Sequence, residues 1–553
     1  MASTSTNSKP KEIENIILKG CVLILALSAL SLAFRPGRSI AEAPLEEDGY
    51  YGLTVSRNMA LGMGIVIQTS TWTNGFQPLC TFLRVPVFCL VRHDRDLAIR
   101  FILGLDWLFY IGAAYLVSQV ACDFEPDSSR TAQATTWAAM ILYLSAPNVF
   151  IEHFNGMETG CLLACYAVTW RFYQRRGTES TRNRIAFAIL LGVLVLARID
   201  GIFLVIIICI HQLFDRSVPL WGSRVGRFST LAGFSLLVSS PWWLYNLIGF
   251  HSLIPSSGKA EQLFGLSIHR CKGMVAAVDR GLFPWVYIIG HEWPYAHAWG
   301  SIIRLIALGI VVVCFCLFNR RKEDRGIKLD AADEQHRRTL QFARWLLMSL
   351  AVLACWYTVS SHAVHFYARY LAPLALVAVF AGVQLYSFVF QRSHRIATTG
   401  LAALVVPIVT FAAMAWRADR YFNGSTHMYI RQQMALVQKY VPADAWVAAG
   451  QTGTLGFFRS RVVNLDGKVN GAALRFQHTM PLYLRQIDVD YVCDFPEEIH
   501  RYLGMHPEAI GWTMVARESD FELWQFRGIT TTGKDFRAYP SHFPLKVATT
   551  GLN

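Results

Sequence analysis

Charge is scarce in this chain. Of its 553 residues only 16% are Asp, Glu, Lys or Arg, against roughly 25% in soluble globular proteins. Hydrophobic residues make up 53%, and the mean hydropathy is +0.33. That much apolar surface excludes a disordered chain. It also argues against the roughly three or four soluble domains that the length alone would suggest. No glycine period and no charged heptad is present, which excludes collagen and coiled coil. No CxxC pair has metal spacing, so the 12 cysteines argue against a structural zinc. Most of them, including Cys161, Cys165, Cys209, Cys314, Cys316 and Cys355, lie inside apolar stretches and read as small buried hydrophobes. No GxSxG elbow and no Rossmann fingerprint occurs. His291-Glu292 meets Tyr295 where a zinc protease needs a second histidine, and Gly258-Lys259 lacks the upstream glycine of a phosphate loop. What remains is a polytopic helical membrane protein.

The net charge of +13 does not point to nucleic acid. The basic residues sit in short runs at 92–100, 171–184, 320–325 and 392–395, beside apolar segments. Loops kept on the cytoplasmic side look like this, and they meet anionic lipid. Apolar segments run over about 16–34, 78–92, 100–120, 134–150, 157–172, 185–212, 229–248, 302–319, 341–360, 370–391 and 396–416, or about eleven spans by length. The first is read as a retained helix, being long for a signal-peptide core and lacking a clean cleavage site. The expected fold is mostly α. A disordered cytoplasmic N-terminus covers 1–14, a transmembrane domain 15–420 with an exoplasmic first loop at 35–77, and a soluble exoplasmic α/β domain 425–553. In that tail, 432–440 reads as helix, and 445–449 and 461–465 as strands around a glycine turn. Topology has a parity problem. The basic loops at 92–100 and 171–184 both look cytoplasmic, yet three apolar segments separate them. Either one segment is a half-depth or re-entrant pair, or one basic loop is outside.

The first loop holds Glu46-Glu47-Asp48-Gly49-Tyr50-Tyr51, three acids in an otherwise apolar protein. Such a cluster reads either as a solvated loop or as a carboxylate pair at the membrane surface. A pair there would act as a general base or hold a cation. Burial beside a low-dielectric wall raises a carboxyl pKa, which suits a base. Residues 53–64 read as a short amphipathic helix in the interface plane, with Leu53, Ala60 and Leu61 on its apolar stripe. Thr71-Trp72-Thr73-Asn74-Gly75-Phe76-Gln77-Pro78-Leu79 forms a polar turn into the next span. Arg198 and Asp200 fall near the middle of an apolar segment, where ionisable residues are costly and usually paired or functional. His362 and His365 precede Arg369 at helical spacing.

Six segments in this order resemble polytopic glycosyltransferases of the GT-C superfamily, nearest to the bacterial group that includes the mycobacterial arabinofuranosyltransferases. They are the acidic pair through the Thr-Asn-Gly-Phe turn; Asn155-Gly156-Met157-Glu158-Thr159; and Ala197-Arg198-Ile199-Asp200-Gly201. The rest are Tyr245-Asn246 with Leu253-Ile254-Pro255 and Lys259; Arg369-Tyr370 with Pro373; and Val463-Asn464-Leu465-Asp466-Gly467 with Asn470. There are departures: Glu47 stands where the family has Asp, Ser256 replaces an Asn, and Cys80 replaces an aromatic.

The resemblance implies an inverting transferase that takes a sugar from a polyprenyl phosphate carrier, and the missing nucleotide fingerprint agrees with that. The acceptor would be a cell-envelope glycan, glycolipid or protein. The setting would be a bacterial inner membrane, multi-pass, with the active site on the periplasmic side. Superfamily precedent puts the base at Glu47, and its longer side chain leaves Asp48 equally open. Arg369 and Lys259, then Arg57, are expected at the carrier phosphate, where Arg favours bidentate contact. Asn74, Glu158 and Tyr370 complete the expected substrate site. Glu46, Glu47, Asp48 and Glu158 could gather around Mg²⁺, Mn²⁺ or Ca²⁺, but no metal ligand is assigned. Two other readings stay open. One is a transporter or flippase of lipid-linked sugars, which broken helices and midplane charges would suit. The other is a non-catalytic envelope assembly protein.

Overall fold

A computed structural model describes residues 9–36, 40–41, 44–68, 71–92, 94–123, 129–286, 300–302, 304–306, 331–416 and 429–528. Most of the expected span at 302–319, the basic run 320–325, the first eight residues and the stretch 529–553 lie outside the described residues.

Four helices are long and apolar enough to cross a bilayer: Ile13–Phe34, Arg95–Cys122, Glu334–Ser360 and Leu374–Arg392. A hydrocarbon core of about 30 Å needs roughly 20 residues at 1.5 Å each. A fifth candidate is the pair Gln133–Leu144 and Pro147–Phe154, bent by 65°. Other apolar segments form shorter or less apolar helices, including Pro78–Val91, Thr159–Arg176, Trp221–Phe250, His394–Ala403 and Val405–Trp416. The result is a mostly α polytopic membrane fold with a small β-containing C-terminal part. One continuous apolar core runs through the helices, centred on side chains such as Trp170, Tyr110, Phe150 and Trp345.

Two helix breaks place the chemistry. The first is the 65° bend, where Pro147 opens the second helix. Proline lacks the donor that would continue the first helix. The carbonyls left without a helical partner are taken up by side chains: Tyr110 donates to Leu144 O at 2.5 Å and Trp285 to Leu142 O at 2.8 Å. In a bilayer such groups must find partners inside the protein. The bend lies between the two basic loops that raised the parity question.

The second break corrects the reading of 185–212 as one span. The helix Thr181–Ala197 stops at Arg198, whose backbone is extended (φ −160°, ψ 132°). A single turn at Ile199–Gly201 then leads into Ile202–Phe214. The charged pair sits at the break and not within a continuous helix. Arg198 Nε lies 2.8 Å from Asp200.

The helix expected at 53–64 starts earlier, at Gly49, and ends at Ala60. It is packed inside the protein and does not present an apolar stripe at the surface. Tyr50, Leu53, Thr54, Val55, Ser56 and Asn58 are buried, because the Pro78–Val91 helix packs on one side and the tail helix Gly453–Phe458 on another. Only its end emerges, at Leu61.

In the tail, β3 (Val447–Ala449), β4 (Val462–Asn464), β5 (Tyr491–Asp494), β6 (Trp512–Glu518) and β7 (Phe521–Phe526) form one sheet in the order β4-β3-β5-β7-β6. A separate short hairpin in the first loop supplies β1 (Val66–Gln68) and β2 (Thr71–Trp72). Strands β4, β3 and β5 are parallel, while β7 pairs antiparallel with both β5 and β6. The parallel strands are buried on both faces, as parallel sheets generally are. Side chains of the Ala448, Val463, Val492 and Trp524 set pack on one face, and those of the Val447, Val462, Cys493 and Leu523 set on the other.

Candidate active site

The motif segments converge on one cavity of about 350 Å³. Asp48 enters it from the first loop, Gly75 and Phe76 from the polar turn, and Glu158 from the start of Thr159–Arg176. Arg198 and Asp200 come from the second helix break, Arg369 and Tyr370 from the turn before Leu374–Arg392, and Lys468 from the tail. Trp243, Ile202, Phe203 and Trp356 form an apolar wall.

The two acids left open in the sequence occupy different places. Glu47 is buried and does not line the cavity. Its carboxyl accepts from the Gly453 amide and the Thr454 hydroxyl, and from the Thr454 amide at 2.9 Å. Those groups open the tail helix Gly453–Phe458, so Glu47 is spent on docking. Burial pushes it up to about 7, while the Thr454 and Gly453 donors pull it back. Asp48 lines the cavity and faces Lys468 Nζ at 3.6 Å. Glu46, outside the cavity wall, is pushed up to about 8 by burial and by the neighbouring Glu152.

Cations ring the acids. Arg198 pairs with Asp200 and lies 3.6 Å from Glu158, and its guanidinium stacks 4.3 Å over the Tyr370 ring. Tyr370 in turn stacks on Tyr357 at 4.0 Å, and Tyr357 donates to Asp200 at 2.8 Å. Arg369 makes no ion pair among the described residues. It touches the Met157 sulfur and lies 4.4 Å over Phe366, and its buried Nε has no hydrogen-bond partner there. Such an unmet donor is costly unless a ligand satisfies it.

The loop carrying Met157 and Glu158 is held from below. Arg84, buried, donates to Gly156 O at 2.6 Å and Met157 O at 3.2 Å, and pairs with buried Asp106 at 3.0 Å.

Three expected site residues stand elsewhere. Lys259 is exposed and outside the cavity wall. Arg57 donates to Phe457 O at 2.5 Å and holds the tail. Asn74 is buried, donates to Asn246 at 2.8 Å and accepts from the Ser256 amide at 3.1 Å, so it ties loops together. His362 and His365 do not line the cavity either. Lys468, which lines the cavity, is not among the residues expected from the sequence. Its only signal was its place inside the Asp466-Gly467 motif.

The acids do not converge on a cation site. Glu47 is bonded to the tail helix, Asp48 faces Lys468 and Glu158 faces Arg198. Among the described residues no three His, Cys, Asp or Glu gather closely enough to hold a metal ion.

The tail docks through close backbone contacts. A Cβ on Gly75 would lie 1.9 Å from Lys468 O, and one on Gly453 would lie 2.0 Å from Glu47 O. Asp466, beside this contact, accepts from the Lys468 amide at 2.8 Å, and Tyr51 donates to it at 3.4 Å. Burial pushes Asp466 up to about 6, against the pull of Lys468. A carboxyl whose pKa is raised on folding binds its proton more tightly when folded. Its stabilising contribution is therefore full below the unfolded value and is lost as pH rises through about 6. Amide exchange in 450–470 should accordingly quicken between pH 5 and 7, on the order of one unit either side of that value. Asp466→Asn should flatten this dependence, and an unchanged slope in that variant would refute the assignment.

A family model described as "Domain of unknown function (DUF8728)" matches residues 420–539. No curated protein matches the chain. Among solved structures the chain is similar to ArnT from Cupriavidus metallidurans bound to undecaprenyl phosphate, at 14% identity and TM-score 0.48, over 91% of this chain and 98% of that one. It is also similar to the Archaeoglobus fulgidus oligosaccharyltransferase in complex with Zn and sulfate. There the identity is 12% and the TM-score 0.47, over 92% of this chain and 73% of that one. The archaeal oligosaccharyltransferase AglB from Archaeoglobus fulgidus, in complex with an inhibitory peptide and a dolichol-phosphate, matches at 13% identity and TM-score 0.45, over 90% of this chain and 72% of that one.

Proposed function

We propose that this chain is an integral membrane glycosyltransferase. It moves a sugar from a polyprenyl phosphate carrier to a cell-envelope glycan, glycolipid or protein, on the periplasmic side of a bacterial inner membrane. The proposal includes about eleven crossings, a membrane domain over 15–420 and an exoplasmic tail from about 425. One observation carries it. A single cavity holds a carboxylate, Asp48, and a guanidinium, Arg369, that has no ion-pair partner among the described residues, beside an apolar wall. A sugar on a lipid phosphate needs those three features together.

In this reading Asp48 takes the proton from the acceptor hydroxyl, whose oxygen attacks the anomeric carbon. The bond from that carbon to the phosphate oxygen breaks, and the electron pair leaves with the polyprenyl phosphate. Attack opposite the leaving group inverts the anomeric centre. Arg369 takes the phosphate charge, its fork matching two oxygens. Arg198, already neutralised by Asp200 and Glu158, orients Tyr370 and the rim. Alignment in a shielded pocket supplies much of the rate. No step runs through a metal ion.

Radiolabelled sugar transfer from polyprenyl phosphate donors, measured beside transport into proteoliposomes, tests the reading. Transfer with Arg369→Ala should fall about 100-fold or more, as when one charge-stabilising donor is lost. Arg369→Lys should recover only part, because an ammonium lacks the bidentate fork. Transport without transfer would favour the flippase reading, for which the broken helix at Arg198 is the supporting feature. The sugar and acceptor are read by mass spectrometry of envelope glycans from a deletion strain.

A further inference from the structure

The tail domain reaches into the cavity with one side chain. Lys468 is largely buried, 13% exposed, and its ammonium lies 3.6 Å from Asp48 and 3.3 Å from Glu261. Its backbone is fixed from both sides. Asp466 accepts from its amide at 2.8 Å, and its carbonyl accepts from the Ser256 hydroxyl at 2.8 Å. Gly75 of the membrane part lies against that carbonyl with no room for a Cβ. A flexible surface lysine needs none of this.

We infer that the tail domain is a working part of the active site. It delivers Lys468 as a positioning residue that pairs with the Asp48 carboxylate and aims it at the acceptor, so the catalytic base is complete only when the tail is docked. This rests on the proposed transferase reading and gives the domain of unknown function a task in that reaction.

The electrostatics support the geometry. An opposite charge within about 4–6 Å favours the ionised form of a carboxyl. Asp48 is otherwise set among acids: Glu46 and Glu47 on its own strand of chain, and Asp466 from the tail. Tyr51 and Tyr429 also face it, and burial among these acids keeps both phenols protonated. Arg369 is the other cation that acts on it, while His365 lies within range of both Asp48 and Lys468. Lys468 is itself held charged by Asp48, Asp466 and Glu261 against the cost of burial.

The test needs no substrate. Full-length protein in nanodiscs is treated with dicyclohexylcarbodiimide across a pH series. The reagent modifies protonated carboxyls, and peptide mass spectrometry separates Asp48 from Glu46 and Glu47. Lys468→Met should raise the midpoint of Asp48 labelling by about 1–3 pH units, the usual influence of a neighbouring opposite charge. Lys468→Arg should leave it near wild type. Glu261→Gln removes the competitor for Lys468 and should lower the midpoint. This variant also decides the matter should Lys468→Met fail to fold. An unmoved midpoint in Lys468→Met, or in Glu261→Gln when only that protein folds, overturns the inference. Absence of transfer by wild-type protein with every donor tried would instead remove the transferase reading, and the labelling result would stand apart from it.

Discussion

Asp48→Asn should abolish sugar transfer, lowering kcat by about 100- to 10,000-fold, the usual contribution of a general base. Expression and tail docking should persist, since Asp48 makes no hydrogen bond to the tail helix and its Lys468 partner is anchored by other groups. Glu47→Gln should behave differently. An amide offers one acceptor oxygen where the carboxylate offers two, and Glu47 uses both of its oxygens on the Gly453–Phe458 helix. That variant should loosen the tail and lose activity in proportion to the undocked fraction. Hydrogen exchange and transfer measured on both variants check this. If Glu47→Gln lost transfer fully with the tail still protected, the two roles would have to be exchanged.

Gly75→Ala carries the second large effect. Its new methyl would meet a carbonyl oxygen at 1.9 Å, and backbone cannot swing aside as a side chain does. Overpacking ordinarily costs about 1–3 kcal/mol, and here it falls on the contact that seats Lys468. Proteolysis within 429–528 should accelerate, and transfer should drop even though residue 75 bears no reactive group. Gly453→Ala, against Glu47 O at 2.0 Å, should give the same pattern from the other end of the contact. A Gly75→Ala protein with normal protease resistance and rate would show that the two parts separate during turnover.

Much of the membrane part was legible because its physics is one-dimensional. A run of apolar residues reads as a helix whatever its neighbours, and 16–34, 100–120, 341–360 and most of 370–391 lie on the four long helices. The break at Arg198 was hidden because hydropathy averages a charged pair into its apolar flanks. The strands β5 to β7 were missed because each is short and its pattern depends on a sheet that assembles only in three dimensions. Motif residues of five segments meet at the cavity wall and the sixth reaches it through Lys468, yet their individual roles were not readable. Asn74, Arg57 and Glu47 carry the chemistry of a site, yet Asn74 ties loops together and the other two dock the tail. Lys468 carries the same chemistry and was passed over, because nothing along the chain relates it to residue 48.

The Gly453–Phe458 helix is gripped at both ends. Glu47 takes its first amides, and Arg57 and Arg95 take the carbonyls of Phe457 and Phe458. A helix fastened this way does not lift away without breaking charged contacts at two places at once. Leu253, Ile254 and Trp356 line the cavity and are also 52%, 42% and 45% exposed, and in the proposed transferase reading they offer the long isoprenoid of the carrier an apolar way in and out.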